Sequence, residues 1–130
     1  MTITAYSLFS NPAATISAPA NQQTVLARIR LPSTGSYVLF GRIVAFNTSP
    51  TYTNVLSSLT TLDGETILDA MTVTVSSGYL CCVFLQGLLV MGPQDENEIV
   101  DIRCQSGAAL TVNSVSLNAI SVDATVSAAA

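Results

Sequence analysis

Residues 78–90, GYLCCVFLQGLLV, constrain this chain more than any other stretch. They hold no charge and one strongly polar side chain, Gln86. A membrane helix needs about 20 apolar residues, so the run is too short for one. Gly78, Gly87 and the pair Val83 and Phe84 are poor helix formers. The flanks, SSG before and MGPQDENE after, are turn signals. An extended strand fits. It sets Tyr79, Cys81, Val83 and Leu85 on one face and Leu80, Cys82 and Phe84 on the other. A strand buried on one side alternates apolar with polar residues. Here both faces are apolar, so something must pack on each.

Residues 36–46, SYVLFGRIVAF, repeat the pattern. Tyr37, Leu39, Ile43 and Ala45 share one face. Val38, Phe40, Val44 and Phe46 share the other, interrupted by Arg42. The chain is 49% hydrophobic and only 9% charged, against about 25% charged in ordinary soluble domains. Two such strands in so weakly charged a chain imply a sheet packed on a second sheet inside and on neighbouring copies outside. The residues expected at that subunit interface are Tyr37, Leu39, Phe40, Phe46, Tyr79, Cys81, Val83, Phe84 and Leu85. The plainer alternative is a central strand covered by loops.

The remaining chain of 130 residues reads as strands broken by turns. Segments 2–9, 24–30, 54–62, 66–75, 98–104 and 110–126 join the two long ones. Residues 64–71 are the best helical candidate and are too short for one. About eight strands in one domain give an all-β antiparallel sandwich of the jelly-roll kind. Residues 1–20 read as an N-terminal arm with a Pro/Ala connector, 21–126 as the sandwich and 127–130 as a tail. The arm, with Ile3, Tyr6, Leu8 and Phe9, is shaped to dock on a neighbour by strand addition.

The order LPSTGSYVLFGRIVAFN, LSSLTTLDGETILDAMTVTV, CVFLQGLLVM, EIVDIRCQSG and SVSLNAISV resembles the C1q/TNF-like jelly-roll domains of bacteria and their phages. The resemblance covers roughly residues 20–125. It implies a compact homotrimer. No collagen-like stalk or anchor accompanies it, which departs from the head of a surface fibre.

Absent residue types limit the chemistry. The chain has no His, no Lys and no Trp, and its four cations are Arg28, Arg30, Arg42 and Arg103. Without His or Lys, Ser-His-Asp, Cys-His, Ser-Lys and Schiff-base catalysis have no base or amine. A paired-carboxylate site would have to draw on Asp63, Glu65 and Asp69, two of which sit at a turn where acids serve local hydrogen bonds. No enzyme activity and no cofactor is expected. With a net charge of −4 there is no basic patch for nucleic acid and no basic amphipathic helix for a membrane surface. Asp95, Glu96 and Glu98 offer oxygen ligands of the type Ca²⁺ takes, though a solvated loop is the simpler reading. Cys81, Cys82 and Cys104 read as small buried hydrophobes, with disulfides between subunits as the alternative. Arg103 beside Asp101, and Arg28 with Arg30, are candidates for ion pairs. Tyr6, Tyr37, Tyr52 and Tyr79 with the amides and hydroxyls of the 47–54 loop could line a sugar site, Tyr52 and Asn54 foremost.

The leading expectation is a non-enzymatic, self-assembling homotrimer built into a virion, as a capsid decoration or fibre-associated subunit, or into an extracellular filament. Its partners would be copies of itself and a capsid or fibre protein. The N-terminus lacks a basic region and an unbroken apolar core, so it does not read as a signal peptide and synthesis in the cytoplasm is expected. The alternative is a TNF-like, glycan-binding lectin or adhesin head.

Overall fold

The computed structural model describes residues 3–8, 16–31, 35–61, 65–92 and 98–122. These form nine strands and no helix: β1 (Ile3–Leu8), β2 (Ile16–Ala18), β3 (Thr24–Leu31), β4 (Gly35–Asn47), β5 (Thr53–Thr61), β6 (Thr66–Val75), β7 (Leu80–Met91), β8 (Glu98–Ser106) and β9 (Leu110–Val122). Sheet A has the order β1-β9-β4-β7, with β2 also on β9; sheet B has the order β3-β8-β5-β6. Every pairing is antiparallel. β1 lies along Leu117–Val122 and β2 along Leu110–Val112 of the same partner. The two therefore act as one interrupted edge strand, and the sandwich has eight strand positions. This is a jelly roll.

Sequence dictates why the sheets face each other as they do. Along β4 and β7 burial alternates strictly. Tyr37, Leu39, Ile43, Val83 and Leu85 point inward and are closed from solvent. They meet Val55 and Leu59 of β5 and Val100, Ile102 and Cys104 of β8, all buried in one cluster. Four residues expected between subunits, Tyr37, Leu39, Val83 and Leu85, are thus core residues of a single chain. Their strands are apolar on both faces, so alternation alone carries no sign for which face turns inward.

Two further expectations change. Part of the Pro/Ala connector is strand, since Ile16–Ala18 pair with β9. The arm segment Ile3–Leu8 runs antiparallel to Leu117–Val122 and forms the edge of its own chain's sheet. Its side chains and Phe9 lie outside the described residues.

Close packing between the sheets explains one glycine. A Cβ on Gly41 would lie 2.7 Å from Ile102 Cδ1 and 3.7 Å from Leu85 Cβ. Gly41→Val should therefore overpack the core and cost about 1–3 kcal/mol. Urea unfolding followed by far-UV circular dichroism measures this; an unchanged midpoint would contradict the packing described.

Candidate functional site

Three places on the molecule gather groups able to act on something else: the outer face of sheet A, an ion-pair cluster on sheet B, and one loop end of the sandwich.

The outer face of sheet A follows from the second apolar face of β4 and β7. Leu80, Cys82, Phe84, Gln86, Leu88 and Val90 of β7 stand exposed. Register places them beside Phe46, Val44, Arg42, Phe40, Val38 and Ser36 of β4, in that order. Phe84 is 64% exposed and Phe40 is 40% exposed. The five strands of sheet A carry a single charged residue, Arg42. Its Nη2 donates to Ser114 Oγ at 3.3 Å, and its buried Nε has no hydrogen-bond partner among the described residues.

β7 also ends the sheet. Monomers usually blunt such an edge with lysine, proline or a bulge; β7 has no lysine and no proline. One device is present: Asp69 reaches across from β6, and its Oδ2 accepts the Gln86 backbone N–H at 2.9 Å. Its Oδ1 accepts the Ala70 N–H at 2.9 Å. Beside it opens a hollow of about 400 Å³ bounded by Phe40, Gly41, Asp69, Phe84, Leu85 and Gln86. Asp69 is thus tied to backbone hydrogens, Glu65 is exposed, and Asp63 lies outside the described residues.

On the outer face of sheet B, Asp101 is fully buried. Its Oδ2 accepts Arg103 Nη2 at 2.6 Å. Its Oδ1 lies 2.9 Å from Arg28 Nε, near enough for charge attraction though not aligned as a hydrogen bond. Arg103 Nη1 donates to Gln23 Oε1 at 3.0 Å. The ion pairs read from the sequence therefore converge on one carboxylate, while Arg30 is exposed.

At the third place, the loops after β4, β6 and β8 meet at one end. Asn47 organises them and is fully buried. Its Nδ2 donates to the carbonyls of Thr51 at 2.9 Å and Val75 at 3.0 Å. Its Oδ1 accepts the Ser49 N–H at 2.9 Å and the Ser49 hydroxyl at 2.7 Å. Its backbone N–H donates to Tyr79 O, and its carbonyl accepts from Gly78 N. Gly78 has φ +78 in the turn closed by Tyr79 N to Ser76 O, a conformation that favours glycine. Across from this frame, Thr51, Tyr52, Thr53, Asn54, Gly107 and Ala108 line an open hollow of about 490 Å³. The sequence singled out Tyr52 and Asn54, and both are here. Tyr37 is in the core instead, and the Tyr6 side chain is outside the described residues. Asn47, read from the sequence among the amides of the 47–54 loop that could meet a sugar, is instead the buried support of that loop, its amide already spent on Thr51, Val75 and Ser49.

The cysteines divide. Cys104 is buried, Cys81 half-buried and Cys82 exposed, and none is in a disulfide. Cys82 is thus not the buried hydrophobe expected of it, because it faces outward on β7. Burial pushes the Cys104 thiol from the ordinary 9.0 up to about 11, with Cys81 adding to the rise. Burial also raises Cys81. At pH 8 only about one Cys104 thiol in a thousand is ionised, and the thiolate is the reactive form. An aromatic disulfide reagent should label Cys82 rapidly and leave Cys104 unlabelled until the chain unfolds. Because the folded value is raised, stability should fall as pH climbs from about 9 to about 11. Peptide mapping after a timed pulse checks the order; fast Cys104 labelling in the native chain would contradict its burial.

Among the described residues, no group of three or more Asp, Glu, Cys or His could hold a metal ion. Asp95 and Glu96, proposed for Ca²⁺, lie outside those residues, and Glu98 is half-buried at the start of β8. Among the described residues, no helix is long and apolar enough to cross a membrane.

No protein-family model matches the chain, and no curated protein sequence does either. Solved structures do. A chain in the crystal structure of the T13 viral particle of infectious bursal disease virus aligns over 95% of this chain and 36% of its own, with TM-score 0.57 at 11% identity. A chain in the structure of the Gx strain of that virus aligns over 92% of this chain and 32% of its own, with TM-score 0.52 at 12% identity. The chain thus spans about a third of the viral chains it resembles. At this identity the likeness is one of fold, and it agrees with the jelly-roll topology.

Proposed function

We propose that this chain is a non-enzymatic structural subunit that assembles with copies of itself through the outer face and free edge of β7. The observation that carries the reading is the near absence of charge from sheet A, with Phe84, Leu80, Leu88 and Val90 exposed in one stripe. Interface cores are depleted in charge and enriched in aromatic residues and arginine. Arg42, opposite Phe84 with a buried and unpartnered Nε, fits such a core. A soluble monomer has little reason to keep a contiguous apolar stripe of this kind.

The assembly we infer is a compact trimer of the C1q/TNF-like type, built into a virion as a decoration or fibre-associated subunit, or into an extracellular filament. VP2 of infectious bursal disease virus, similar in fold, is known from T=1 particles. That supports a virion role. The carboxylates argue for the non-enzymatic part: Asp101 is neutralised by two arginines and Asp69 caps backbone N–H groups.

Light scattering across a hundredfold dilution tests association. The untagged chain should hold a multimeric mass throughout. Replacing Phe84 and Leu88 by Asp should raise the dissociation constant about a hundredfold or more, by placing carboxylates in a desolvated contact. Both side chains are exposed in the single chain, so its far-UV spectrum should not change. A wild-type monomer at every concentration would overturn the proposal.

A further inference from the structure

We propose that the loop end framed by Asn47 is a binding site for an uncharged saccharide, seated in the hollow lined by Thr51, Tyr52, Thr53, Asn54, Gly107 and Ala108. This goes beyond the structural role and does not depend on it.

The lining chemistry selects the ligand. The loops at this end, residues 48–52, 76–79 and 107–109, contain no Asp, Glu, Lys or Arg. A phosphate or carboxylate ligand would find no cation there to neutralise it. A purely apolar ligand would strip water from threonine hydroxyls and an asparagine amide without replacing those hydrogen bonds. A neutral sugar does neither. Its C–H face stacks on an aromatic ring, and its hydroxyls both donate and accept. Tyr52 is 70% exposed and supplies the ring. Asn54 Oδ1 already accepts the Thr74 hydroxyl at 2.7 Å. Its Nδ2 group is left with two donors facing no partner among the described residues. Gly107 has no side chain to hold a ligand off the backbone.

The hollow is also preorganised. Asn47 fixes the 47–52 loop from within through four side-chain hydrogen bonds. On the opposite wall, Ser106 Oγ pairs with Thr53 Oγ1 at 3.0 Å and accepts the Ala108 N–H at 3.2 Å. Loops held in this way lose little freedom on binding. A volume of about 490 Å³ lies within the range of small-molecule clefts. Its open shape suits one or two sugar units of a longer chain.

The test uses the full-length chain, biotinylated and displayed on streptavidin beads, on an array of neutral and sialylated oligosaccharides. The best neutral binder is then titrated into ¹⁵N-labelled protein. The expected result is binding of neutral glycans, with amide shifts confined to residues 51–54 and 107–108. Tyr52→Ala should weaken binding about tenfold or more, and Tyr52→Phe should keep it, since the ring and not the hydroxyl makes the stack. Tyr52 is an exposed loop residue, so both variants should keep the native circular dichroism spectrum. No bound neutral glycan, binding of sialylated glycans alone, or affinity unchanged in Tyr52→Ala would each overturn the proposal. The outcome is separable from the assembly reading, which rests on sheet A and is read by mass.

Discussion

Asp101→Ala is expected to cost about 3–5 kcal/mol of folding stability, whereas Arg28→Ala should cost about 1 kcal/mol or less. The asymmetry follows from burial. Arg28 is half exposed, and water takes over when its partner is lost. Arg103 is nearly closed from solvent, with 10% of its side chain accessible. Among the described residues its Nε has no hydrogen-bond partner, and Nη2 depends on Asp101. Removing the carboxylate leaves a buried cation whose remaining hydrogen bond, among the described residues, is to neutral Gln23. Asp101→Asn should fall between, since it keeps one acceptor and loses the charge. Urea unfolding at pH 7 measures all three, followed by tyrosine fluorescence because the chain has no Trp. The Phe84, Leu88 double variant is the proper background, so that association does not enter the midpoint. Equal losses for Asp101→Ala and Arg28→Ala would mean that the cluster is solvated.

Asn47→Ala should cost about 2–4 kcal/mol. It leaves the Val75 and Thr51 carbonyls without their donor and the Ser49 N–H without its acceptor. Asn47→Asp should be no better, although it is nearly isosteric. It retains the acceptor for Ser49 but sets carboxylate oxygen 2.9–3.0 Å from two carbonyl oxygens, where an N–H₂ belongs. The same variants should loosen the loop that carries Tyr52. Hydrogen exchange at residues 48–53 and 76–79 would therefore rise more than at β8. If exchange rose evenly over the molecule, Asn47 would be a global rather than a local support.

Much of the fold was legible because turn signals punctuate the chain. The strand expected at 66–75 is β6, and the one at 24–30 is β3 less one residue. The two-faced character of residues 78–90 was legible too, since Val83 and Leu85 point inward while Leu80, Cys82 and Phe84 stand outward. Which face served which purpose was not. Tyr37 and Phe40 are equally apolar as letters, and the packing of sheet A on sheet B separates them. The Asp101 cluster was half visible: Asp101 and Arg103 share a strand face by spacing, but Arg28 joins them only through the β3–β8 pairing, shifted by a bulge between Val25 and Ala27. Tyr52 and Asn54 were legible as a polar, aromatic loop. The hollow opposite them needed Gly107 and Ala108, which nothing in the sequence brings near.

The pairing of β1 with β9 sets the order in which this molecule can be completed. Ile3 lies against Val122, and Leu8 against Leu117. β1 precedes the other described strands in the chain and has to wait for β9 before its hydrogen bonds can form. Until then β4 lacks its partner β9 as well, and its edge away from β7 stands open. A chain dominated by such long-range contacts folds slowly, on the millisecond to second scale, because loop closure must precede any gain from pairing. The apolar strands β4 and β7, with Arg42 as their one charge, are therefore exposed during the interval when neighbouring nascent chains can pair with them. Crowded expression should then favour aggregate over the native fold, and slower synthesis should shift the balance back.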